Sequence, residues 1–456
     1  MFQTFKNAWK VPELKKKILF TILILLLYRI GAALYVPYVN VEAIGSLADA
    51  FSKSGTVFTF ISLLSGSAFS QATFFALSVS PYITASIVMQ LLTIALPPLE
   101  RLSKQGEEGK KKITQITRWV TVGLALITAY GYVQLLQNVQ VGYFNIGSVL
   151  LIDKADGAMY YFGMAVMVAC FCAGAAIIMW LAELINDHGI GNGISMILFA
   201  NIISSAGTRV EELINMVTTA GARAENAWWG YVIGGAEVFL SLVLALVTIG
   251  FIVWFTNSER RIPIQYAKRV VGRKMYGGQS SNLPLKMNMA GVMPVIFASS
   301  IVALFPTIAG FFPNTAFNTW VNTWLAYTSP VYIIITIALI FAFSYFYIMI
   351  SFNPVEVANN IRNQGGSVPG IRPGKPTSDY IKKILNRITL IGAVFLVIIV
   401  AVPMIVTAIT SAFGVTEFTS IAFTGTSLLI VVGVALEVVR DIEAQLAMRN
   451  YKGFLD

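Results

Sequence analysis

The chain has 456 residues, of which 56% are hydrophobic and only 12% charged, and its formal net charge is +10. Soluble domains usually carry about 25% charged residues. The composition therefore excludes an ordinary soluble domain and predicts a protein embedded in a membrane. The single histidine, His188, excludes a His-rich metal site, and the sequence has no Walker-type phosphate loop. We therefore predict no nucleotide hydrolysis by this chain and no cofactor.

Ten apolar segments are long enough to be membrane spans, each of which needs roughly 20 predominantly apolar residues. In chain order they are 18–36, 76–96, 119–137, 159–181, 190–206, 231–255, 289–309, 331–350, 388–410 and 419–439. The first follows Lys15, Lys16 and Lys17 and has no small-residue cleavage site beyond it, so we interpret it as a retained span. The predicted fold class is an all-α polytopic membrane protein.

Lys and Arg are sorted between the two sides of this topology. When alternate loops are assigned to alternate faces, 27 of the 32 Lys and Arg residues fall on one face and 4 on the other. Cytoplasmic loops retain these residues during insertion, so the bias places both termini in the cytoplasm. Spans one to five and six to ten then run in opposite directions. We predict two pseudo-symmetric inverted halves of five spans, residues 1–206 and 207–456.

Residues 54–99 are too long for a single crossing. One crossing uses about 20 residues of this uncharged 46-residue interval, and the remainder lies on the outer side. There Val57, Phe58, Ile61 and Leu64 recur at helical spacing, with Ser and Thr between them. Two interpretations remain open: a half-helix folded back into a protein cavity, or an amphipathic helix lying flat at the membrane surface.

Four charged residues lie inside or near the spans: Arg29, Glu183, Glu237 and Glu437. Each side chain can extend to a membrane interface, so we interpret all four as interface anchors. A proton- or sodium-coupled carrier is expected to need a carboxylate at the membrane midplane. The spans show no such carboxylate, which disfavours a secondary transporter.

Two cytoplasmic loops, 256–286 and 351–387, are longer and more basic than topology requires. Within the first, residues 261–267 are predicted to form an extended strand that leads to a basic tip. Three or four lysines would suffice as a retention signal. We therefore favour a role for these loops in docking to phosphate or to an acidic protein.

Six motifs carry a family resemblance. They lie at 81–92, 189–195, 277–281, 283–292, 368–374 and 425–430. In this order, and between correctly placed spans, they make the sequence resemble the SecY/Sec61-alpha family of protein-translocation channels. The resemblance covers nearly the whole chain.

The resemblance implies a passive protein-conducting channel and not an enzyme. Unfolded secretory chains would cross through an hourglass pore between the two halves, and apolar segments would leave sideways into lipid between spans two and seven. The pore waist would be a ring formed by Ile83, Ile87, Ile194, Leu198, Ile296 and Ile430. The outer segment would be a re-entrant plug half-helix at about 56–72. Its apolar residues would be Val57, Phe58, Phe60, Ile61, Leu63 and Leu64.

The resemblance also implies that docked partners supply the energy. The ribosome and the SecA motor ATPase would bind the two basic loops. The docking residues would be Arg260, Arg261, Lys268, Arg269, Arg273, Lys274 and Arg372. SecE- and SecG-type membrane subunits, signal peptides, nascent chains and membrane lipid are further expected partners, in the bacterial plasma (inner) membrane. Two rivals to the channel are a secondary transporter and a membrane scaffold whose basic loops only recruit partners.

Overall fold

The computed structural model describes most of the chain. The described residues are 2–40, 42–46, 62, 65–137, 139–141, 144–147, 149–151, 157–207, 210–211, 213–214, 217–218, 228–266, 269–271, 274–276, 280–310, 315–325, 329–412 and 419–452.

Helices dominate the described structure. In chain order they are α1 (Phe2–Lys10), α2 (Pro12–Gly31), α3 (Ser80–Ala95), α4 (Pro97–Ser103), α5 (Glu107–Gln137), α6 (Ala158–His188), α7 (Gly193–Ser204), α8 (Trp228–Asn257), α9 (Met293–Gly310), α10 (Ala316–Trp324), α11 (Pro330–Ser351), α12 (Pro354–Asn363), α13 (Lys375–Ala412) and α14 (Thr419–Lys452). A helix overlaps each of the ten predicted spans: α2, α3, α5, α6, α7, α8, α9, α11, α13 and α14.

Length and composition support the membrane assignment. Within the described ranges, five helices are long and apolar enough to cross a membrane, and α3 with α4 makes a sixth if that pair, bent by 103°, is one span. The helices α7 and α9 are apolar but shorter. The fold is therefore that of an all-α polytopic membrane protein, as predicted.

Local sequence explains where several helices begin. Proline occupies the first turn of α2, α3, α4, α11 and α12, where its missing N–H costs no helical hydrogen bond. The side chain of Asn192 caps α7 by accepting hydrogen bonds from the backbone N–H groups of Ile194 and Ser195. Ser329 caps α11 in the same way.

The second span differs from its predicted bounds. Its helix begins at Ser80 and not near residue 76, because residues 65–79 form a series of buried turns. Three residues in these turns, Ser67, Ala72 and Ser78, have positive φ. This conformation is unusual for residues other than glycine, and packing from the surrounding helices must hold it.

Short strands lie in the loops. They are β1 (Val139–Val141), β2 (Phe144–Gly147), β3 (Glu259–Tyr266), β4 (Arg269–Val271), β5 (Lys274–Tyr276), β6 (Ser280–Lys286) and β7 (Gly366–Ser367). The predicted strand at 261–267 is confirmed by β3. One three-stranded antiparallel sheet has the order β6-β3-β7, so it combines strands from both predicted docking loops.

The two ends of the described chain meet on one side of the molecule. The Thr4 hydroxyl donates to the Glu443 carboxylate at 3.1 Å, and the Lys17 ammonium donates to Gln445 Oε1 at 3.2 Å. Beneath these contacts, Ala8 and Ile442 belong to a small buried apolar cluster. The contacts agree with the even number of spans predicted between the termini.

Candidate functional site

The six predicted ring positions belong to, or pack against, one large apolar cluster of buried residues. They lie on α3, α7, α9 and α14. Five of them, Ile83, Ile87, Leu198, Ile296 and Ile430, are between 1% and 3% exposed. The sixth, Ile194, is partly buried and packs against the same cluster. Five of these side chains are therefore packed inside the protein and do not face lipid, and the meeting of all six in a pore ring stays a prediction.

Direct helix packing closes this cluster from two sides. The second-span helix α3 packs against α9, and the fifth-span helix α7 packs against α14. Gly433 on α14 permits close approach to α9, because a Cβ at this position would lie 2.4 Å from Val292 Cγ1. Helices from the two predicted halves are thus in contact on both sides of the cluster.

The predicted plug falls largely outside the described residues. Val57, Phe58, Phe60, Ile61, Leu63 and Leu64 all lie there. Within the predicted range 56–72, the described residue Ser62 is helical and residues 65–72 form turns, so the predicted half-helix stays a prediction.

Those turns are tied to the helices beside them. The buried Tyr132 hydroxyl donates to the Phe69 carbonyl oxygen, and the Phe69 N–H donates to Ser65 Oγ at 3.0 Å. The Arg29 guanidinium donates to the Gly66 carbonyl oxygen, with an Nη1–O distance of 3.5 Å. Arg29 therefore contacts the protein itself, which the interpretation as a simple interface anchor did not anticipate.

A buried polar group, which the sequence did not reveal, lies in the same region. The Asn201 side-chain amide donates to Ser78 Oγ at 3.4 Å. Tyr28 is fully buried, and its ring stacks on Phe75 with centroids 5.4 Å apart. Single polar residues within apolar spans give no pairing signal in sequence, so only the fold brings these side chains together.

The interface-anchor prediction is wrong for Glu183. This residue is 8% exposed, and its carboxylate forms a bidentate ion pair with Arg118, with N–O distances of 3.0 and 2.7 Å. The pair links α5 to α6. Opposite charges at the same end of two consecutive antiparallel spans were a usable signal in the sequence. The side chain of Glu237 lies outside the described residues, and Glu437 is exposed.

The two predicted docking loops form one structural unit. Gln265 and Tyr266 of β3 pair with Ser367 and Gly366 of β7. Below the sheet, a shared apolar cluster includes Ile262, Ile264, Leu285, Ala358, Ile361, Val368, Ile381, Ile384, Leu385 and Ile388. Basic residues from loops about 100 residues apart in sequence are therefore presented by one scaffold.

The docking residues are only partly described. Arg260 and Arg261 are exposed on β3, where Arg261 also pairs with Glu259 at 2.6 Å, and Arg372 is exposed in the second loop. The backbones of Arg269 and Lys274 belong to the antiparallel pair β4–β5, while their side chains lie outside the described residues. Lys268 and Arg273 also lie outside them.

A second network, around Arg440 and Asp441 of α14, was not predicted. Arg440 donates to the Thr256 carbonyl oxygen at 2.6 Å and to Asn257 Oδ1 at 2.9 Å, at the end of α8. The next residue, Asp441, accepts a hydrogen bond from the Gly191 N–H at 3.1 Å. Burial lowers the pKa of the nearby Lys286 ammonium, and the positive charge of Arg440 lowers it further. This network joins the turn before α7 and the end of α8 to the interior of α14.

Comparison with known proteins agrees with this architecture. Among solved structures, a protein-conducting channel aligns with a TM-score of 0.60 and 16% identity, covering 96% of both chains. Sec61 from the canine ribosome–channel complex of the endoplasmic reticulum aligns with a TM-score of 0.56 and 14% identity, also over 96% of both chains. The fold is therefore that of a protein-conducting channel.

Sequence comparison is more specific. The SecY family model matches residues 73–439. The protein translocase subunits SecY of Streptomyces galbus and Streptomyces coelicolor are each 41% identical, and that of Mycobacterium tuberculosis is 40% identical, all covering 100% of both chains. The chain belongs to the SecY family and is a subunit of a protein translocase.

Proposed function

We propose that the six-residue aliphatic ring is the seal of a passive polypeptide pore in a bacterial inner membrane. The observation that carries this proposal is that five of the six side chains, from four helices, are buried in one apolar cluster and that the sixth, Ile194, packs against it. Aliphatic side chains offer no hydrogen bonds that would select one substrate sequence. A narrow apolar constriction also excludes water and so blocks ions at rest.

The seam between α3 and α9 is the lateral exit. Both helices contribute ring residues, and they pack directly against each other. On an insertion scale, a Leu at the centre of a span gains about 0.3 to 0.6 kcal/mol, whereas a charge costs about 2.5 to 3.5 kcal/mol. A segment that reaches this seam can therefore partition into lipid according to its composition alone, without an energy source in the channel.

Residues 1–206 and 207–456 act as the two halves of the pore, and the outer segment at about 56–72 is its plug. The turns at 65–79 support this proposal because the last part of the plug segment is held at Gly66 and Phe69 by hydrogen bonds from Arg29 and Tyr132. Movement of the plug would then either break these hydrogen bonds or be confined to the residues before Gly66.

The combined basic unit of β3, β6, β7 and α12 is the docking surface for the ribosome and the SecA motor ATPase. It is supported by the exposed Arg260 and Arg372 on one scaffold. Both termini are cytoplasmic, which the contact between α1 and α14 supports. SecE- and SecG-type subunits complete the assembly. The chain itself is not an enzyme.

Substitutions in the ring test the seal. Ile83→Asn and Ile430→Asn should each raise the resting ion conductance of the purified channel in planar lipid bilayers, because a polar side chain lets water enter the constriction. Ile340→Asn is the matched control, since Ile340 is equally buried in the same cluster but lies on α11, which contributes no predicted ring residue. Equal conductance of the ring variants and the control would refute the ring assignment.

Crosslinking tests the path of the substrate. A photoreactive residue at position 83 should crosslink to a stalled secretory chain, whereas one at position 340 should not. A carrier or a scaffold places no polypeptide beside position 83, so absence of the crosslink in a complex known to be engaged would favour those rivals.

A charge reversal tests docking. Arg372→Glu should impair motor-driven export into membrane vesicles while the channel still inserts normally. Lys110→Glu makes the same charge change on the same face but outside the sheet-bearing unit. Export that falls equally in both variants would indicate a general electrostatic effect and not a docking site.

A further inference from the structure

The short helix α10, between the seventh and eighth spans, divides its surface into three sectors. Residues four apart lie on one helix face. Val321 and Leu325 are buried at 0% and 4% exposure. Trp320 and Trp324 are each 50% exposed, and Phe317, three residues before Trp320, is 41% exposed on the same face.

The buried sector fixes the helix to the spans. Val321 and Leu325 form an apolar cluster with Ala309 of α9, and Ile335 of α11 packs against it. The third sector is polar: Thr319 and Thr323 are exposed, and the Thr315 side chain caps the helix through the Asn318 N–H. The aromatic sector lies between the buried and the polar sectors. It therefore faces sideways from the protein, while the threonines face away from the spans.

The surroundings identify what covers the aromatic sector. The sequence carries no charge from residue 287 to residue 355, so nothing in this region attracts a charged partner. Other aromatic residues are also exposed where spans begin on the same predicted outer side: Tyr161 on α6 and Trp228 and Trp229 on α8. Tryptophan is enriched at this depth in membranes, because its ring suits the boundary between headgroups and acyl chains.

We infer that α10 is an interfacial helix whose Phe317, Trp320 and Trp324 insert into the outer leaflet of the bilayer. Its buried face holds it on α9 and α11, and its threonine face remains in water. Insertion fixes the height of the outer end of α9 relative to the membrane. This inference concerns lipid contact and does not depend on conduction by the pore.

Depth-dependent quenching tests the inference. Cys170 and Cys172 are replaced with Ala, and Trp320→Cys or Thr323→Cys is introduced and labelled with an environment-sensitive fluorophore. The full chain, with the membrane subunits that co-purify, is placed in phosphatidylglycerol–phosphatidylethanolamine liposomes. At position 320, a lipid spin-labelled near the headgroup should quench severalfold more than aqueous iodide. At position 323 the order should reverse.

Two outcomes would overturn the inference. Equal and strong iodide quenching at both positions would place the aromatic face in water. Protection of position 320 from both quenchers would show that a protein subunit or a second copy covers it. If the cysteine-free background folds poorly, the native cysteines are kept, and their labelling is measured in the chain without an introduced cysteine and subtracted. Val321→Cys should resist labelling in every folded preparation, and its rapid labelling would contradict the buried sector.

Discussion

Removal of either partner of the Arg118–Glu183 ion pair should have unequal consequences. The Glu183 side chain is only 10% exposed, whereas that of Arg118 is 52% exposed. In Arg118→Met, the buried Glu183 carboxylate loses its ion pair with Arg118, while an apolar stem like that of Arg118 is retained. In Glu183→Gln, the remaining guanidinium can turn to water or to lipid headgroups.

The expected losses of folding stability in the two single variants follow from this difference in exposure. Breaking a buried pair and leaving one charge uncompensated costs about 3 to 5 kcal/mol. A half-exposed cation that loses its partner costs about 1 kcal/mol or less, as for surface pairs. We expect Arg118→Met to lower the free energy of unfolding by the larger amount. The double variant should be more stable than Arg118→Met alone, since neutral residues then replace the whole pair.

Chemical denaturation of the three variants in detergent micelles, followed by tryptophan fluorescence, provides the measurement. The denaturation midpoints of the variants are compared, provided that the slope of unfolding free energy against denaturant concentration is unchanged. The double-mutant cycle then gives the coupling energy between Arg118 and Glu183. The reasoning is refuted if Glu183→Gln costs as much as Arg118→Met, or if the cost of the double variant equals the sum of the two single costs.

Three further predictions concern packing and hydrogen bonds. Gly174→Ala should lower the denaturation midpoint sharply, because the new Cβ would lie 1.9 Å from the Phe74 carbonyl oxygen. Gly123→Ala is the control: no atom lies within 4 Å of its new Cβ, so the free energy of unfolding should be unchanged or rise by up to about 1 kcal/mol. Equal midpoints of the two variants would contradict this packing. Asp441→Ala should speed amide hydrogen exchange in the turn before α7, because it removes the acceptor of the Gly191 N–H. Asp441→Asn keeps an acceptor oxygen and should retain the protection. Fast exchange in Asp441→Asn would show that this hydrogen bond is not what protects the turn. Tyr132→Phe removes one of two hydrogen bonds to the buried Phe69 carbonyl oxygen, which still accepts from the Ala72 N–H at 3.4 Å, and should cost about 0.5 to 1.5 kcal/mol in the same denaturation assay; a cost near zero would mean that water or another donor replaces the hydroxyl.

The spans could be predicted because a membrane constrains sequence directly. A helix in lipid must satisfy its own backbone and must be apolar over roughly 20 residues. The strand β3 lies outside the spans, and it was recognisable because its extended character also shows in a short stretch of local sequence. The turns at 65–79 were not, since Ser67, Ala72 and Ser78 have no intrinsic preference for positive φ.

The ring positions were chosen from motifs and not from physics. An isoleucine in a span can face lipid, a neighbouring helix or a pore, and its local sequence is the same in each case. Burial of Ile430 and its presence in one cluster with Ile83 became visible only when α14 and α3 were placed in the same molecule. Their predicted function as a seal still awaits measurement.

The sequence by itself determined that this is a helical membrane protein and predicted the ten spans and the sidedness of the basic loops, because each depends on composition over a short stretch of chain. Tertiary structure alone decided that β7 joins β3 and that Asp441 contacts Gly191. The second of these contacts joins residues 250 positions apart. Distant pairing depends on how helices pack, and local hydrophobicity carries no record of which helix becomes the neighbour.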